Sequence, residues 1–140
     1  MKNLLKIISY LILTISFSCE DQTLFVKCDD CTTDEPIATN LTIKLDNYGY
    51  SGGTIINVYS GNIEDSILLR TLETRNQTET SISVTLNKKY TVTALYYIPG
   101  KYYTAVDSAT PRVSYIKDQC TDPCYYVYDR VIDLRLKYTK

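Results

Sequence analysis

The chain has 140 residues, with fifteen Lys and Arg against sixteen Asp and Glu. Its length suits a single domain, and a charge so near neutral removes the basic footprint of a nucleic-acid binder. It contains no histidine, which excludes a Ser-His-Asp or Cys-His nucleophile pair, a histidine general base and any histidine-containing metal site.

In chain order, residues 1–18 read as an export signal. Met1-Lys2-Asn3-Leu4-Leu5-Lys6 carries two lysines, and Ile7 to Phe17 is an apolar run of h-region length. The run is shorter than the roughly 20 residues a bilayer span requires. It closes on Ser16-Phe17-Ser18-Cys19, which resembles the lipobox of bacterial lipoproteins. Ser18 fits the small residue before the cysteine, whereas Ser16 stands where Leu is usual. The resemblance implies that Cys19 is diacylated and becomes the new amino terminus, giving a palmitate-type anchor. Two or three acyl chains hold stably, because each buried methylene contributes about 0.8 kcal/mol and one chain alone is marginal.

Residues 19–36 form an acidic tether: Glu20, Asp21, Asp29, Asp30, Asp34 and Glu35 stand against Lys27 alone. Acidic residues just after the lipidated cysteine resemble the surface-export signal of Bacteroidota-type lipoproteins. Asp29, Asp30, Asp34 and Glu35 offer oxygen ligands, but without the EF-hand glycine and closing glutamate; a solvated tether is the expectation.

With Cys19 assigned to lipid, Cys28, Cys31, Cys120 and Cys124 remain. Outside the inner membrane such cysteines are generally oxidised. Three pairings are open. Local pairing, 28 with 31 and 120 with 124, needs the least chain closure and is the favoured expectation; crossed pairing would staple the N-terminal segment to the end of the chain with a larger effect. A tetrathiolate zinc site fits the C-x-x-C and C-x3-C spacings, but the compartment and the long stretch between the pairs argue against it. No metal or other cofactor is expected. A thioredoxin-like motif is disfavoured by Asp29 and Asp30, which would raise a neighbouring thiol pKa.

From Pro36 the pattern turns to period 2. Leu41, Ile43 and Leu45 alternate with Thr42, Lys44 and Asp46. Strands follow at Thr54–Ser60, 67–72, around Ile82, Val84 and Leu86, and at Tyr90–Tyr97. Pro99-Gly100 suits a type II turn returning into 101–106, and 113–116 is a short edge piece. A last strand is expected over 126–138, with Ile132, Leu134, Leu136 and Tyr138 on one face. No stretch has convincing helical period. About seven short strands predict an all-β fold, a single antiparallel Ig-like or transthyretin-like sandwich over 37–140.

Leu86-x-x-x-Tyr90-x-Val92-x-Ala94 resembles the tyrosine corner of carboxypeptidase-regulatory-like and transthyretin-like sandwiches, with Lys89 in place of the usual Gly. The resemblance implies that the Tyr90 hydroxyl bonds back to backbone. A broader set of features is similar to small Bacteroidota-type lipoproteins of unknown function. These are the Cys28–Pro36 stretch, Val58-Tyr59-Ser60-Gly61-Asn62, Lys89 to Tyr97, Cys120-x3-Cys124-Tyr125, and Asp133 to Lys137. It implies fold and address, and no activity.

Of the fourteen tyrosines, Tyr96, Tyr97, Tyr102 and Tyr103 flank one turn and could form a platform for a glycan or protein ligand; Tyr is also simply a favoured strand residue. Asp65-Ser66-Ile67 and Asp107-Ser108-Ala109 resemble an O-glycosylation motif of the same bacterial group, which would modify Ser66 and Ser108. Asp129 and Asp133 share a strand face by parity, with Arg130 and Arg135 as counter-charges. No catalytic constellation emerges. The expectation is a non-enzymatic, lipid-anchored binding module on the outer membrane, displayed at the cell surface. A structural accessory subunit of an envelope assembly and a carboxylate-dependent hydrolase are the alternatives.

Overall fold

The alternating stretches become strands in the computed structural model, which describes residues 26–46 and 53–137. In chain order these are β1 (Ala38–Lys44), β2 (Thr54–Ser60), β3 (Leu68–Thr74), β4 (Glu79–Thr85), β5 (Tyr90–Ile98), β6 (Lys101–Ala109), β7 (Arg112–Ile116), β8 (Cys124–Tyr128) and β9 (Val131–Asp133). Two single 3-10 turns, Cys28–Asp30 and Ile63–Asp65, complete the elements among the described residues.

One sheet has the order β4-β1-β9, the other β3-β2-β5-β6, and β7 pairs with β8 in a separate hairpin. Chain neighbours thus cross between sheets: β2 and β3 lie between β1 and β4 in sequence yet belong to the opposite layer, as in Greek-key sandwiches. The inner faces supply one core, with Leu41, Ile43 and Ile132 from the first sheet against Ile56, Val58 and Val92 from the second. Period-2 alternation explains the choice, because Leu41 and Ile43 of β1 and Ile82 and Val84 of β4 are buried and their strand neighbours are not. Each such aliphatic side chain contributes about 1.5–3 kcal/mol by leaving water.

The Tyr90 hydroxyl donates to the carbonyl of Thr85 at 3.1 Å and accepts the Thr85 N–H at 3.2 Å. This fastens the end of β4 to the start of β5, as the corner motif implies. Gly100 has φ +81°, which meets the third position of a type II turn between β5 and β6.

Three expectations about the strands are corrected. The described residues form nine strands rather than about seven, and β1 pairs with β9 in parallel, so the sandwich is not purely antiparallel. The expected last strand is two strands in different sheets. Asp129 breaks it with φ +53°, a left-handed conformation in which a strand cannot continue.

Candidate functional site

Because Tyr90, Val92, Ala94 and Tyr96 share one parity, they all turn into the core, and Tyr97 turns outward. Tyr96 is 4% exposed, and Tyr103, opposite it, packs against the core. Neither belongs to a binding surface, which corrects that half of the expected platform. Tyr97 and Tyr102 remain. They are direct cross-strand partners, 45% and 71% exposed, with ring centroids 5.1 Å apart at a tilt of 46°. Exposed Ile55 and Val106 and half-buried Leu95 extend this outer face of the four-stranded sheet.

The place of this pair relative to the chain's entry is fixed by register. Ala38 opens β1 opposite Thr85, and Thr85 is bonded to Tyr90, so both lie at one end of the sandwich. Just past β1, the Asp46 N–H donates to the Tyr96 hydroxyl at 3.3 Å, which marks the opposite end. Tyr97 follows there. At about 3.3 Å per residue, β5 carries it about 23 Å from Tyr90.

The cysteines pair crosswise. Cys28 bonds Cys120 and Cys31 bonds Cys124, with Cα separations of 5.8 and 5.0 Å. The expected local pairing is overturned, because the fold brings the entering segment alongside β8: Thr32 and Tyr125 exchange two backbone hydrogen bonds of 3.1 and 2.9 Å. The β7–β8 hairpin is a sheet of its own, hydrogen-bonded to no strand of either layer among the described residues. It therefore holds the entering segment outside the sandwich, and the segment from Cys28 onward is part of the folded body. Cys19, the lipidation candidate, and the export signal lie outside the described residues, as do Glu20 and Asp21. Asp29, Asp30, Asp34 and Glu35 are exposed. No helix among the described residues is long and apolar enough to cross a membrane.

The two Asp-Ser motifs use their aspartates structurally. Asp65 accepts the Asn62 N–H at 3.1 Å, capping the short turn. Asp107 accepts the Asp133 N–H at 2.9 Å, tying β6 to β9. Ser66 and Ser108 themselves are exposed; Asp107 and Ser108 border a shallow cleft of about 310 Å³ with Asn62, Glu64, Lys89 and Thr91.

The parity that would set Asp129 beside Asp133 is lost at the break after β8. Asp129 accepts the Thr110 N–H at 2.8 Å. Asp133 instead receives Arg135, whose Nε reaches Oδ1 at 2.8 Å and whose terminal nitrogen reaches Oδ2 at 2.6 Å. That guanidinium holds the Asp133 carboxyl well below the usual carboxylate range, and the pair raises the Arg135 pKa in turn.

The chain matches no known protein family, curated protein or solved structure. Its candidate surface therefore stands on geometry. The sequence reading missed one feature of that geometry: Ile67, Leu68 and Leu69 are all more than half exposed at the edge strand β3. Strict alternation fails in that run, and this was the visible signal.

Proposed function

We propose that the chain is an outer-membrane lipoprotein, exported by residues 1–18, acylated at Cys19 and displayed at the cell surface, with the β-sandwich as a non-enzymatic binding module. The observation that carries this reading is the exposed Tyr97–Tyr102 pair at the end of the sandwich opposite the entry of the chain at Ala38. An anchor on the entry side directs the opposite end away from the membrane. Two large, half-solvated rings there offer flat apolar faces and hydroxyls to a glycan or a protein. The similarity to small Bacteroidota-type lipoproteins, carried by the cysteine pairs and the Lys89–Tyr97 strand, supports the same address.

Protease shaving of intact cells, with mass spectrometry of the shed peptides and of the acylated N-terminal fragment, tests orientation. Peptides from residues 37–137 are expected in the supernatant. Complete protection with Cys19 still acylated would overturn surface display. Binding is tested on glycan and extracellular-protein arrays with a Tyr97→Ala, Tyr102→Ala double variant. A loss of tenfold or more in apparent affinity is expected, about 1.4 kcal/mol, and an unchanged profile removes the tyrosine pair from the reading.

A second reading, an accessory subunit of an envelope assembly, is favoured by β3. Among the described residues its edge pairs with no strand on the side away from β2, and Leu68 and Leu69 are exposed beside it; such edges invite pairing with another chain. Replacing Leu69 with Lys would abolish capture of an envelope partner under that reading and leave glycan binding intact.

A further inference from the structure

The four cysteines are remote in sequence but not in space. The sulfur atoms of Cys31, Cys120 and Cys124 lie within 4.8 Å of one another, and Cys28 is bonded to Cys120 at 2.07 Å. We propose that the reduced chain holds one soft divalent cation of the zinc class in a tetrathiolate site built from Cys28, Cys31, Cys120 and Cys124. The disulfides and this site exclude each other.

Geometry and chemistry both fit. Zinc takes four thiolates at about 2.3 Å in a tetrahedron, which sets the sulfurs about 3.8 Å apart. A pair released from a disulfide relaxes towards that spacing, and the three clustered sulfurs already bracket it. The ligands arrive as two turns, Cys28-Asp29-Asp30-Cys31 and Cys120-Thr121-Asp122-Pro123-Cys124, with intervals inside the range of structural zinc sites. The first is a 3-10 turn closed by the Cys31 N–H on the Cys28 carbonyl.

What holds the turns together does not depend on the sulfur bonds. Thr32 and Tyr125 keep two backbone hydrogen bonds, and Cys124 opens β8, paired with Ile116. This backbone link is what would keep the two turns adjacent on reduction. The recess between them, of about 270 Å³, is lined beside the cysteines by Thr33, Gln119 and Asp122, with no Lys or Arg in its lining. The long stretch of chain between the two cysteine pairs is no obstacle, because the fold brings Cys28 to Cys120 and Cys31 to Cys124.

The stoichiometry closes. Two equivalents of a phosphine reduce the two disulfides to four thiols, each phosphine taking its oxygen from water. The four thiols then release four protons as the cation binds, leaving a site of net charge −2. The proposal is independent of the tyrosine surface.

The test uses the full chain in detergent, reduced anaerobically with a phosphine and titrated with Co²⁺. One equivalent should develop the d–d and thiolate-to-metal charge-transfer bands of a tetrahedral S4 site, bleached by one equivalent of Zn²⁺. Cys31→Ser with Cys124→Ser should lose the charge-transfer band, and the oxidised chain should show none. Circular dichroism on the same samples covers loss of fold: metal that restores a β signal supports the site. An unfolded chain without bands overturns it, as do bands that persist in the double variant or in the oxidised chain.

Discussion

The Tyr96 hydroxyl donates to the backbone carbonyl of Leu134 at 3.0 Å, inside the core and from one sheet to the other. It joins β5 to the residue following β9, and the Asp46 N–H donates to the same oxygen. A buried tyrosine here is a cross-sheet fastener, because a hydroxyl placed in the core must find partners.

Tyr96→Phe leaves the ring and removes the fastener, so the Asp46 N–H and the Leu134 carbonyl lose a partner. A cost of about 1–3 kcal/mol is expected from such unsatisfied groups. In urea melts the midpoint should fall for Tyr96→Phe, while Tyr102→Phe should change stability by less than about 0.5 kcal/mol. Equal effects would contradict the division of the tyrosines into core and surface.

The disulfide map is readable by proteolysis without reduction. Peptides containing Cys28 and Cys120 should remain linked, as should those containing Cys31 and Cys124. The first bond closes a loop of more than 90 residues and constrains the unfolded chain by about 4.6 kcal/mol. Given the first, the second closes a ring of only about nine residues, for about 2.6 kcal/mol. Replacing both cysteines of one pair should therefore cost less than reducing both bonds, by a wide margin in the melting temperature.

Acid should weaken the domain through Asp133. Its folded pKa is lowered by Arg135 from the unfolded value of about 3.9, so its contribution is complete above about pH 5 and drains away as pH falls through 4. Solvent screens the pair, since both side chains are partly exposed, and the effect is modest. The melting-temperature gap between the parent and Asp133→Asn should narrow from pH 7 to pH 3. A constant gap would mean that Asp133 acts only through neutral hydrogen bonds.

The break between β8 and β9 predicts an unusual ranking at residue 129. Asp129→Ala loses the bond to Thr110 and keeps a β-carbon in the left-handed region without the polar side chain that makes it tolerable there, so the backbone cost of about 1–2 kcal/mol stays uncompensated. Asp129→Gly loses the same bond and relieves the backbone. Thermal melts should place glycine above alanine.

Much of the sandwich was legible because alternation reports half-burial directly. Leu41, Ile43 and Leu45 on β1 and Ile82 and Val84 on β4 needed no tertiary knowledge, and Pro99-Gly100 announced its turn. The Tyr96 assignment was also within reach, since Val92 and Ala94 mark the inner parity that Tyr96 continues. Other features depend on partners remote in the chain. Around Asp129 the alternation carries straight across the break, and the sign of interruption is a carboxylate capping Thr110. The crossed disulfides follow from the pairing of Thr32 with Tyr125, which no local pattern encodes. Leu68 and Leu69 look like core residues by composition, and only their place on an edge strand leaves them in water.

The parallel pairing of β1 with β9 bears on when this chain can fold. The strand that opens the body must wait for one emerging almost at its end, and the two cysteine bonds span 92 and 93 positions. Such non-local contacts make folding slow. A chain of this kind stays open until nearly all of it is available, and its shape locks only when the last strand joins β1 and the two cysteine bonds close.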